Sequence, residues 1–272
     1  MYALKLKYYF IISGLIIFFF MSCEKSVEFN FTPNNKKFLI VDGIITNEYK
    51  NQKIYLSESV KTLNQSPALI SGAEVSVSDG EKIYLFSEQT PGTYVSDEKF
   101  SAVINKPLFL HINFEEKTYT AEARSVPVLS YNSLTLEQYN DTLYYISNQK
   151  AEFNPYEAAM YEVSADNYYS PDFESYKGEV KMYFYVLKTI DVGEIFPPRQ
   201  QLILFPKETK ISIKKYSLSP EHEKFIRSLL LEAQWSGGNF DTEKDNVYTN
   251  LSEGAFGFFA ASNIISDSVI LK

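Results

Sequence analysis

Catalysis needs a few reactive side chains within reach of one another, and this sequence offers few of them. Among its 272 residues are two histidines, one cysteine and one tryptophan. A nucleophile is normally activated by a neighbouring base, most often histidine. His111 lies in the run "LFLHINF" on the face opposite Leu110 and Ile112, the place of a solvent-facing strand residue. His222 falls in the first turn of a helical pattern, where a neutral ring is tolerated. No G-x-S-x-G elbow occurs. Two scattered histidines and a single thiol do not make a zinc site. Calcium requires only oxygen ligands, and "DTEKDN" sets Asp241, Glu243 and Asp245 at alternate positions, as an EF-hand loop begins. Asn246 then stands where that loop needs Gly, and Ser252 where it needs a bidentate Glu, so the plainer reading is a solvated acidic loop. Carboxylate pairs for glycoside hydrolysis need a set separation, and no pair can be chosen from the sequence. No catalytic residue, metal ligand or cofactor is therefore indicated, and the expectation is a non-enzymatic protein. The candidate for binding is the loop "NYYSPDFESYKG", where Tyr168, Tyr169, Phe173 and Tyr176 lie among polar residues. Exposed rings there would stack on sugars or anchor a protein interface; alternatively they fold back onto the body. Trp235 reads as a packing residue.

The cysteine carries the sharpest signal. Lys5 and Lys7 precede an apolar run from Tyr8 to Met21, which "SCEK" closes. A basic start, a short apolar core and a small residue before a cut site describe a secretory signal peptide. The run falls short of the roughly 20 apolar residues of a membrane span. Ser22-Cys23 resembles a bacterial lipobox, with Phe20 where most carry Leu or a similar aliphatic residue. In that reading residues 1–22 are removed and Cys23 is lipidated with fatty acyl groups such as palmitate. Each buried methylene contributes about 0.8 kcal/mol, so several chains hold a protein at a membrane. The other reading is an ordinary signal peptide with a leftover thiol, or an uncleaved anchor.

Loss of Lys5 and Lys7 with the leader takes the net charge from −8 to −10. An acidic chain without a basic cluster is a poor partner for nucleic acid, and charge would not hold it at an anionic membrane. Twenty-one Tyr and 21 Phe favour strands, whose pleated surface suits their rings. Residues 23–37, with Pro33-Asn34-Asn35, read as a tether. "KFLIVDGIIT" is a strand with Asp42-Gly43 as a bend or bulge. "GAEVSVSDGEKIYLFSE" is a hairpin: Val75 and Val77 share a face, Asp79-Gly80 turns, and Ile83 and Leu85 alternate beyond it. "KPLFLHINFEEKTYTAEAR" is another, with Leu108, Leu110, Ile112 and Phe114 on one face and the tip at Glu115-Glu116-Lys117. Short strands with regular turns argue a β-sandwich over 38–127. Pro127 marks a boundary, and 128–272 forms a second β-rich domain. Its strands are expected at Leu134–Gln138, Leu143–Ser147, Ala158–Ser164, Val180–Ile190, Gln201–Phe205 and Lys210–Tyr216. One amphipathic helix is expected at about 219–235, capped by Ser219, entered at Pro220 and ended by Gly237-Gly238. "EGAFGFFAASNIISDSVILK" reads as a final strand pair.

Taken in order, "SCEKSVEF", "FLIVDGIITNE", "ISGAEVSVSDG", "PGTYVSD", "KTYTAEARSVPV", "SPEHEKFIRSLLLEAQ", "SGGNF" and "SEGAFGFFAAS" are similar to the Bacteroidota lipoproteins grouped as the domain of unknown function 4249 family. The likeness covers essentially the whole mature chain. It implies an outer-membrane, lipid-anchored protein facing either the periplasm or the cell surface. It also implies an immunoglobulin-like or transthyretin-like sandwich followed by a second β-rich domain, and the neighbourhood of a TonB-dependent outer-membrane receptor. The family brings no activity and no catalytic residues. The function expected is a lipid-anchored binding or accessory module, with a surface adhesin, a structural envelope protein or a glycan-binding protein as alternatives.

Overall fold

Alternation of apolar and polar residues sets most of the chain in strands, and the hydrogen bonds then decide which strands meet. The computed structural model describes residues 37–60, 62, 64–130, 136–146, 157–173, 175–188, 202–233 and 247–271. Residues 1–22, read as a leader, Cys23, most of the segment read as a tether, the acidic stretch 241–246 and Trp235 lie outside these residues. Strands run at β1 (Leu39–Thr46), β2 (Lys53–Glu58), β3 (Glu74–Ser78), β4 (Ile83–Thr90), β5 (Thr93–Ser96), β6 (Pro107–Phe114) and β7 (Lys117–Arg124). They continue as β8 (Leu136–Gln138), β9 (Leu143–Ile146), β10 (Ala159–Ala165), β11 (Tyr168–Ser170), β12 (Ser175–Lys177), β13 (Val180–Val186), β14 (Phe205–Pro206) and β15 (Lys210–Ser217). Helix α1 (Pro220–Ala233) follows, then β16 (Ala255–Ser262) and β17 (Ile264–Ile270). Among the described residues the fold is mainly β with one amphipathic helix, as expected. Among the described residues no helix is long and apolar enough to cross a membrane.

The first layer is an eight-stranded sheet in the order β16-β1-β2-β5-β4-β3-β6-β7. It is sandwich-like because the sheet curls over its own core. That core holds Val41, Ile45, Ile54, Leu56, Val77, Tyr94, Leu110, Ile112 and Phe259. The sheet's two ends, β7 and β16, are strapped together by residues 249–252. Ser252 donates its amide to Thr120 O and accepts the Thr120 amide on Oγ. The Asn250 amide nitrogen donates to Glu122 O on β7 and to Phe259 O on β16, while its oxygen accepts the Phe259 amide.

Two local readings change. β1 runs straight through Asp42-Gly43 with no bend or bulge, its register unbroken against β2 and β16. Gly43 is needed for closeness: a Cβ there would sit 3.1 Å from Ile54 Cγ1. The final strands do not pair with each other. β16 lies parallel beside β1, and β17 lies antiparallel beside β15 in a different sheet. Asn263 alone separates them, and its buried polar groups make the crossing. Its amide donates to Ser217 Oγ, its carbonyl accepts the Ser217 amide, and Nδ2 donates to Val126 O.

The second sheet has the order β13-β10-β15-β17. Alternation gives it two apolar faces. One carries Met160, Tyr216 and Leu218 against Ile226 and Leu230 of α1 and Ile44 of β1. The other carries Val163, Ile211 and Ile213 against Phe205, with Leu136 and Tyr144 of the three-stranded sheet β14-β9-β8 packed onto it. α1 starts as expected: Ser219 Oγ accepts the amide of His222, and Ser219 O accepts that of Glu223. The segment after β7, where Pro127 marks a boundary in the sequence, is bolted to the second sheet. Val126 O accepts from Ser217 Oγ as well as Asn263. The buried Lys215 reaches Leu129 O at 2.9 Å and Glu157 Oε2 at 2.6 Å. Residues Lys37–Lys272 form one compact unit.

Candidate functional site

The aromatic loop is a small hairpin, with Tyr169 opposite Tyr176 and a 3₁₀ turn at Pro171–Phe173. Tyr168 is half-buried and packs on the core between the second and third sheets. Tyr169 is half-buried, and its backbone exchanges two hydrogen bonds with Leu204. The side chains of Phe173 and Tyr176 lie outside the description, as does Cys23. Both histidines are accounted for by position. His111 is exposed on β6, between Ser76 and Thr120. His222 is buried and stacks on Phe258 at 5.1 Å and Phe225 at 6.5 Å. Burial pulls its pKa down to about 4, so the ring is neutral there. Among the described residues no three His, Cys, Asp or Glu side chains converge as a metal site.

A different group of side chains meets where the two large sheets join. On the outer face of the first sheet, β1 presents Ile40, Asp42 and Ile44, because the odd residues Leu39, Val41 and Ile45 fill the core. Asp42 pairs in register with Tyr55 on β2 and with Phe258 on β16. Cross-strand neighbours of this kind have Cβ atoms about 5 Å apart. The facing side of the second sheet presents Glu162 of β10 beside Tyr183 of β13 and Lys214 of β15. Ile44 closes one end of the join against Tyr185 and the helix core. Towards the open end the residues turn polar, and Tyr55 and Tyr183 are each 46% exposed.

The two carboxylates at this join differ in their surroundings. Glu162 is fully engaged: Tyr216 donates its hydroxyl to Oε2 at 3.0 Å, and Lys181 Nζ lies 3.2 Å from Oε1. Asp42 has no hydrogen bond or ion pair among the described residues. Its side chain is exposed on the outer face of β1, and partial desolvation by the neighbouring strands pushes its pKa up. Desolvation, Glu162 and Asp42 also raise the Tyr183 phenol, so both carboxylates act on one ring. Beyond Asp42, burial would raise Glu48, but its pairing with Lys50 and Lys214 outweighs this and holds it low. From Glu162 and Lys181 an open trough of about 520 Å³ continues over Ser164, Asp166, Glu179 and Lys210. A second concavity of about 470 Å³ lies over the strap, lined by Phe109, His111, Glu122 and Asn250. The site has no activated nucleophile. It offers phenol faces, paired charges and one solvent-exposed carboxylate.

Residues 24–268 match a family model described as Domain of unknown function (DUF4249). No curated protein matches the chain.

Proposed function

The chain belongs to the DUF4249 family, a domain of unknown function, and from that premise we propose that it is a lipid-anchored, non-catalytic binding module of the cell envelope. The observation that carries this reading is the position of Cys23. The only thiol of the chain stands between an apolar leader and a folded unit that starts at Lys37. The family match begins at Glu24, the residue after it. A thiol placed there serves attachment, because no second cysteine exists for a disulfide. The non-catalytic part is supported by the histidines, one exposed on a strand and one sealed in an aromatic stack. The partner proposed is an outer-membrane receptor of the TonB-dependent class, contacted through the strand surfaces and the aromatic join.

Cells fed an alkyne-bearing palmitate analogue will label the protein, and Cys23→Ser will lose the label. Mass spectrometry will find the mature chain beginning at an acylated Cys23. An unmodified thiol or a retained leader would refute the anchor. After mild detergent extraction a stoichiometric receptor is expected to co-purify; its absence favours the adhesin reading.

A further inference from the structure

The free half of the second sheet is hollow rather than level. Helix α1 covers the other half of this face, over Met160, Tyr216 and Ile264. Side chains of a strand alternate between its faces. Two residues further along each strand, the same face therefore shows Tyr183, Glu162, Lys214 and Ser266. Two further again, in register across all four strands, come Lys181, Ser164, Ser212 and Ser268. Antiparallel sheets commonly give one face to water. Here the short Ser164 and Ser212 make a floor, and the longer Glu162, Asp166, Glu179, Lys181 and Lys210 stand round it. The trough between them, about 520 Å³, lies within the size range of small-molecule sites. Strands hold its floor, and such placement preorganises a site.

At the head of the trough Glu162 is fixed by the Tyr216 hydroxyl at 3.0 Å and by Lys181 at 3.2 Å. A carboxylate and an ammonium each have more hydrogen-bonding sites than this pairing uses. The pair therefore sets an acceptor and a donor 3.2 Å apart. That is close to the spacing of neighbouring hydroxyl oxygens on a sugar ring, of which one can donate while the other accepts. The half-buried hydroxyls of Ser164 and Ser212 bond to nothing else among the described residues, and a hydroxyl both gives and takes hydrogen bonds. Tyr183, in register with Glu162 and 46% exposed, adds a ring at the rim, apolar enough for the C–H face of a sugar. Acidic and basic groups both line the trough, Glu162, Asp166 and Glu179 with Lys181 and Lys210, which suits a neutral ligand better than an ion of either sign. We propose that this trough binds a neutral saccharide. Glu162 and Lys181 take two neighbouring hydroxyls, and Ser164 and Ser212 take others. The sugar comes either free or as part of a polymer chain. The inference deepens the binding-module reading and rests on it. Its failure is distinguishable, because acylation of Cys23 is scored without reference to the trough.

The test uses the mature, lipidated chain in a detergent without a sugar headgroup, and isothermal titration calorimetry. The probes are maltohexaose, cellohexaose and mannohexaose, the methyl glycosides of glucose and mannose, the per-O-methylated hexasaccharides, and the zwitterion glycylglycine. Saturable binding is expected for at least one unmodified saccharide, and not for its per-O-methylated form or for glycylglycine. Lys181→Met is expected to weaken it at least about tenfold, the scale of a hydrogen bond to a charged group. The Lys181 side chain is 54% exposed, so this change spares the core. Ser212→Phe, which fills the floor, is expected to abolish binding; should that variant not fold, Lys181→Met decides alone. Lys82→Met, on the first sheet, is expected to leave binding unchanged. Tighter binding of a hexasaccharide than of its methyl glycoside assigns a polymer, and equal affinity assigns a free sugar. Absence of saturable saccharide binding, binding of glycylglycine alone, or equal binding of a per-O-methylated probe would overturn the proposal. So would unchanged affinity in Lys181→Met or in a folded Ser212→Phe, or an equal loss in Lys82→Met.

Discussion

His222 is the residue whose burial has the plainest measurable effect. Its folded pKa of about 4 lies below the ordinary 6.5, because burial penalises the charged ring. The unfolded chain takes up the proton near pH 6.5 and the folded one near 4. The stability tied to the neutral ring is therefore whole above pH 6.5, falls between 6.5 and 4, and is gone below. A difference of this size corresponds to about 3 kcal/mol. His222→Phe, which suits the stack with Phe258 and Phe225, is expected to flatten that part of the profile. Urea denaturation at a series of pH values measures it. Lys215 is the second case. Its ammonium is buried with Glu157 and tied to Leu129 O. Lys215→Ala strands a buried carboxylate and is expected to cost about 3 to 5 kcal/mol. Replacing both partners, as Lys215→Met with Glu157→Gln, should restore most of it.

At the scale of the element, the hairpin of β6 and β7 shows how far the sequence could be read. Alternation placed Leu108, Leu110 and Ile112 inward, and all three are buried. The tip was legible as well, but its strain was not. Glu115 and Glu116 both take positive φ, 49° and 60°, the conformation of a two-residue hairpin turn that suits Asn-Gly. Glu115→Asn with Glu116→Gly is expected to stabilise the protein by about 1 kcal/mol, read as an upward shift in thermal midpoint. In the other hairpin, alternation alone could not choose the inner face of β4. Tyr84 and Phe86 oppose Val77 and Val75, while Ile83 and Leu85 are 63% and 61% exposed. The turn at 79–82 sets that register, and the stack of Tyr84 on Phe100 at 4.0 Å is a long-range contact. The candidate site was hidden for a similar reason. A single Asp in an apolar strand reads as a break until its register neighbours are known, Tyr55 on the next strand and Phe258 on β16 far along the chain.

The whole molecule shows what a linear reading cannot supply. Strand positions from 134 to 217 were largely visible, because each is a local pattern. The partners of the last two strands were not, because partnership depends on what each strand's faces bury. β16 is apolar on both faces, matching a place between the first core and α1. β17 is mostly exposed, as an outer strand of the second sheet is. The sequence-based unit 38–127 therefore lacks β16 and the buried Phe259. Expressed alone, it is expected to give a poorly dispersed amide NMR spectrum and no cooperative urea transition. Residues 37–272 together are expected to unfold in a single one.

The pairing of β1 with β16 has a consequence for timing. The first strand to leave the ribosome must wait for almost the last, and synthesis at about 5–20 residues per second makes that wait roughly 10 to 40 s. Through this interval Leu39, Val41 and Ile45 have an open flank, so newborn copies depend on chaperone shielding or on staying dilute.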